Sequence, residues 1–161
     1  MSDNVTQAGP SSTTDAGLRV VIDVQSMVQQ GQWVRPFVFQ MAGSDTKGIK
    51  AYAWMRADPP GTPASELCRE LVEDAKKGSR KGTGLRANAL MDYGKTNILF
   101  SFSEFIWKRC NRGQYRYYTV VLKDSAYVDL AYTSAFTVTK DPPHIPELSK
   151  LDQDIFLSRM Y

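Results

Sequence analysis

One histidine, His144, and two cysteines, Cys68 and Cys110, are the whole supply of imidazole and thiolate metal donors in this sequence. Zinc sites draw on clustered donors at short spacings, so no metal centre is expected. The two cysteines lie far apart and make no disulfide framework, which suits free thiols in a reducing compartment and leaves a single disulfide open. His144 stands among prolines in "DPPHIPEL", the setting of a surface turn rather than of a general base. A catalytic triad meets only in space, but nothing local marks one. No apolar run approaches the ~20 residues that span a bilayer. The opening "MSDNVTQAGPSSTTDAG" has neither the basic nor the apolar block of a signal peptide, so an intracellular protein is expected. A nucleotide-hydrolase phosphate loop is missing too. "GSRKGTG", from Gly78 to Gly84, has its lysine on the wrong side of the glycine and follows a helical pattern instead of leading into one. These absences argue against an enzyme, and no cofactor is expected.

What is present is an uneven charge. The net charge is only +3, yet residues 76–116 hold ten of the 20 basic side chains and two of the 17 acidic ones. Charge concentrated in this way attracts polyanions by Coulomb attraction and counterion release, whereas dispersed charge mainly serves solubility. The segment contains two clusters. Lys76, Lys77, Arg80, Lys81 and Arg86 surround the glycine-rich loop, and Lys108, Arg109, Arg112 and Arg116 follow an aromatic stretch. Glycines let a backbone approach phosphates closely, so the first loop reads either as a phosphate grip or as a solvated surface loop. The second cluster reads either as a contact site or as a solvated hairpin tip. Were both at one end of the fold, they would make a continuous positive rim. Trp54, Trp107, Tyr115, Tyr117 and Tyr118 are candidates for base stacking, although aromatics at strand positions more often belong to a core.

The order of patterns predicts an all-β protein with one helix, an antiparallel immunoglobulin-like or Rel-like β-sandwich. Residues 1–16 are polar and expected to form a disordered tail; 17–146 form the sandwich, with a helical insertion at 63–77; and 147–161 form a C-terminal tail or short helix. "LRVVIDVQ", "QWVRPFVFQM" and "GIKAYAWMRA" read as strands, with Pro36 at an edge or bulge. In "TPASELCRELVEDAKKG", Leu67, Leu71, Val72 and Ala75 recur at helical spacing, Thr62 is placed to cap, Pro63 to open and Gly78 to stop the helix. "TNILFSFSEFIW", "QYRYYTVVL" and "AYTSAFTVT" read as three more strands, the first two joined by a tight hairpin in "KRCNRGQ".

Phe100, Phe102, Glu104 and Phe105, then Gly113, Tyr115 and Arg116, then Phe136, Thr137 and Val138 follow one another as do the motifs in the C-terminal half of the fungal velvet domain. That domain has an aromatic Phe-x-Phe-x-Asp-Leu strand, a Gly-x-Phe-Arg hairpin and a Phe-Thr-Val-Tyr strand leading into a proline-containing tail. Arg35 and Pro36 match an Arg-Pro near its start, while the proline run that follows in the family is absent here. The chain therefore resembles a divergent velvet domain. The resemblance implies a Rel-like sandwich that binds double-stranded DNA as a homodimer or heterodimer, a nuclear and cytoplasmic regulator of development and secondary metabolism. The family's DNA contacts come from basic residues near its first strands and after its last, positions held here by Arg35 and Lys140. A competing expectation is a small structural or matrix-like protein, of a kind that viruses also encode, whose basic face meets nucleoprotein or membrane and which self-associates.

Overall fold

Strand-forming residues in this chain gather into two sheets that close on an aromatic core. The computed structural model describes residues 17–78 and 84–140; residues 1–16, 79–83 and 141–161, and with them Arg80, Lys81 and His144, lie outside the described residues. The elements are β1 (Arg19–Ile22), β2 (Met27–Gln29), β3 (Phe37–Ala42), β4 (Ile49–Ala57), α1 (Ala64–Lys76), β5 (Leu85–Asn88), β6 (Leu90–Met91), β7 (Asn97–Phe102), β8 (Gly113–Lys123), β9 (Ala126–Tyr132) and β10 (Phe136–Thr139). One sheet runs β1-β3-β7-β6. The other runs β2-β10-β8-β4-β5, with β9 also paired to β8. The pairings are antiparallel except β2 with β10, which are parallel. The expected all-β fold with one helix is the observed one, and no helix among the described residues is long and apolar enough to cross a membrane.

Alternation places Phe37, Phe39, Ile98, Phe100 and Phe102 of the first sheet against Ala51, Ala53, Tyr117, Val121 and Phe136 of the second. Tyr117 is the hinge of this core, its ring 4.5 Å from that of Phe37 and stacked on that of Phe136 at 5.3 Å. Each large apolar side chain buried here contributes about 1.5–3 kcal/mol. The central strands β4 and β8 are covered on both sides. Their other face carries Tyr52, Trp54, Tyr118, Val120 and Leu122, and α1 lies over it through Leu67, Leu71 and Ala75. This double burial explains why β4 and β8 read as nearly continuous apolar runs instead of alternating.

Several local expectations need correction. Pro36 is left out of the second predicted strand, which begins at Phe37. The helix has Pro63 as its N-cap, and no side chain caps it, so Thr62 does not serve as expected. Gly78 does end it, with φ +73°, a left-handed turn that only glycine enters without penalty. "KRCNRGQ" is no hairpin, because β7 and β8 belong to different sheets and the connection crosses between them. The last predicted strand is divided between the end of β9 and β10. The β8–β9 hairpin turns instead on Asp124 and Ser125, both with positive φ (49° and 68°), as a tight two-residue turn requires.

Candidate nucleic-acid interface

The connection from β7 to β8 is pinned to the segment before β3. The N–H of Val34 donates to the carbonyl of Glu104 at 2.8 Å, that of Gly31 to Ile106 at 2.7 Å, and that of Ile106 to Gln32 at 2.8 Å. Ser103 Oγ donates to the carbonyl of Val34 at 2.6 Å, and Gln30 Nε2 donates to the carbonyl of Cys110. The result is a short two-stranded ribbon in which Trp33 and Phe105 are directly opposed. Opposed residues share a face, as do residues two apart on one extended strand. Trp33, Phe105 and Trp107 therefore come out together, with centroid distances of 5.7 Å and 5.6 Å and edge-to-face geometry. Ile106, between them, is buried and anchors the ribbon. Trp33 is 64% and Trp107 73% exposed, an aromatic display that the fold does not need for its core.

Lys108 and Arg109 follow Trp107 directly and share a cleft with it, and Arg112 comes just before β8; all three are exposed. Lys140 joins them from the end of β10, because Val138 pairs with Gly113 and the strand continues past it. Its carbonyl accepts from Gln29 Nε2 at 3.3 Å. An open cleft of about 780 Å³ runs along Phe105, Trp107, Lys108, Arg109 and Cys110. Arg35 is at the root of this end, two residues from Trp33. It is half-buried, and its N–H donates to Gln25 Oε1 at 2.7 Å. Glu104 is turned inward. Burial pushes its carboxyl above the usual range, and the hydroxyl of Tyr117, donating to it at 2.6 Å, pulls the other way.

The first basic cluster is elsewhere. Lys76 and Lys77 at the end of α1 and Arg86 on β5 line a cleft of about 540 Å³ beside Lys50 and Leu122. Leu122 and Gly113 are at opposite ends of β8, and at about 3.3 Å per residue they are separated by roughly 30 Å. The two clusters thus face opposite ends of the sandwich and do not make one rim. Two of the loop glycines also have structural duties. Gly78 stops the helix, and Gly84 lies on the indole of Trp54, where a Cβ would come within 2.8 Å of Nε1.

No family model matches the sequence, and no curated protein matches it either. Among solved structures the chain is similar to the PmoD soluble domain of Methylocystis sp. ATCC 49242 (Rockwell), at 15% identity and a TM-score of 0.41, over 81% of this chain and 98% of that one. It is similar to the alkylpurine DNA glycosylase AlkC of Pseudomonas fluorescens, bound to DNA containing an abasic site analog, at 7% identity and a TM-score of 0.41, over 78% of this chain and 31% of that one. A Niemann-Pick type C2 protein from Japanese carpenter ant is similar at 11% identity and a TM-score of 0.40, over 83% and 95%. Scores this low assign neither a family nor an activity.

The structure thus puts Lys108, Arg109, Arg112 and Lys140 at one end of the fold, with Arg35 two positions along the chain from Trp33, and Lys76, Lys77 and Arg86 at the other. Arg116 does not belong to a surface cluster, since its side chain is fully buried and faces Asp58. Among the stacking candidates, Trp54, Tyr117 and Tyr118 are core, Tyr115 is half-buried, and Trp107 alone is widely exposed. Trp33 and Phe105 were missed by sequence reasoning, because their meeting depends on pairing between segments some seventy positions apart. The faint local signal was the alternation of Phe105, Ile106 and Trp107. Cys68 and Cys110 are not joined in a disulfide.

Proposed function

We propose that this chain is a non-enzymatic nucleic-acid-binding protein that holds phosphates with Lys108, Arg109, Arg112 and Lys140, and that it serves as a regulator acting as a dimer. The observation that carries this reading is the gathering of those four exposed cations at the end where Trp33, Phe105 and Trp107 emerge. It joins the second basic cluster to Arg35 and Lys140, the two positions that the resemblance alone implied. Four cations in phosphate contact would give a log-affinity against log-salt slope of roughly −3 to −4.

The test is duplex DNA binding by the full chain over a range of salt. Reversing Lys108, Arg109 and Arg112 to Glu should lower affinity at least tenfold and flatten the slope by roughly one unit per lost contact, without changing the circular dichroism spectrum. Unchanged binding in that variant, with loss on reversing Lys76, Lys77 and Arg86 instead, would move the site to the opposite end. Light scattering on the same samples separates a discrete dimer from the open-ended growth expected of a matrix-like protein.

A further inference from the structure

Resting on the nucleic-acid reading, we infer that the Trp33–Phe105–Trp107 ladder stacks unpaired bases, so that this end of the sandwich selects single strands over duplex. A protein that touched only phosphates would need the cations and not the rings. Here two indoles are 64% and 73% exposed beside an open cleft with Lys108 and Arg109 on its wall. In a duplex the base faces are already stacked and closed to a protein ring. A single strand offers a π-face at every nucleotide and a phosphate for each neighbouring cation.

The ladder is also prepared in advance. Its backbone is held by the four hydrogen bonds that join residues 31–34 to 103–106, and Phe105, half-buried, contacts both indoles. Little ordering of the protein remains to be done when a base arrives, and a preorganised platform keeps more of the stacking energy as affinity. Three rings and four cations define a small footprint, about 4–8 nucleotides. Stacking and phosphate contact use features common to all four nucleotides, so binding should be tolerant of sequence.

The experiment measures binding of the full chain to a short fluorescent oligothymidylate, to a hairpin duplex of similar length, and to phosphatidylcholine vesicles with and without phosphatidylserine. Intrinsic tryptophan fluorescence is followed in each. The oligothymidylate should bind at least tenfold more tightly than the duplex and quench the tryptophans. Trp107→Ala and Trp33→Ala should each weaken the single strand by roughly 5- to 150-fold while leaving duplex affinity unchanged, and Trp107→Phe should recover most of the loss. Duplex binding equal to or tighter than the single strand, with no quenching, overturns the stacking inference and leaves the nucleic-acid reading standing. Failure to bind either nucleic acid overturns both, and vesicle binding that requires phosphatidylserine would then assign the same surface to an anionic membrane.

Discussion

Replacing Asp58 with Asn should be among the most damaging changes this fold can suffer, because it leaves a cation buried without its counter-ion. The side chains of Arg116 and Asp58 are both 0% exposed, with Nη2 3.5 Å from the carboxylate. Arg116 Nη1 also donates to the carbonyl of Thr133 at 2.8 Å, and the guanidinium lies 4.7 Å from the centre of the Tyr132 ring. These contacts solvate the guanidinium in part but do not neutralise it. Breaking a buried pair from one side costs about 3–5 kcal/mol, and replacing both partners by neutral groups costs far less. Asp58→Asn and Arg116→Met should each lose that amount, a drop in midpoint of roughly 10 °C or more for a domain of this size. The double variant should be more stable than either single one. Urea unfolding followed by circular dichroism gives the three differences and closes the cycle. Single losses below about 1 kcal/mol, or losses that simply add in the double variant, would refute the argument that charge burial dominates at this site.

Three further outcomes follow from the geometry. Leu71→Ala, at a fully buried helix position, should cost about 2–5 kcal/mol in chemical denaturation, because α1 is held over β4 and β8 by its apolar stripe. Glu104→Gln should raise the thermal midpoint at neutral pH. The carboxyl titrates above its ordinary value through burial, so the native state holds more protons than the unfolded one between the two values, and wild-type stability falls as pH rises through the raised value. In the variant that fall should vanish from midpoints measured across mildly acidic to neutral pH, while Gln still accepts the bond from Tyr117. Ser125→Gly, at φ 68° in the β8–β9 turn, should stabilise by up to about 1 kcal/mol in the same denaturation assay, since the left-handed conformation penalises a Cβ.

The parts of the fold that could be read from the sequence are those whose cause is local. Leu67, Leu71 and Ala75 announce a helix face because 3.6 residues make a turn, and Gly78 ends it because glycine alone enters the left-handed region freely. The longer strands were legible from their β-branched and aromatic content, but the short β2, β5 and β6 and most of β9 were passed over. The alternation of β9 is broken, and its turn, Asp124-Ser125, lacks the glycine that usually marks such a hairpin.

Composition and pattern were enough to establish a β-rich chain with one amphipathic helix and a positive middle, since those properties belong to short stretches and to sums over residues. Where the charges stand relative to one another depends on folding. The length of β8 carries the two basic clusters to opposite ends, and sheet pairing closes Arg116 inside. A bridge between distant segments sets Trp33 beside Phe105. Each of these is a long-range contact made by register and closure, and the residues that take part carry no mark of it in their own neighbourhoods.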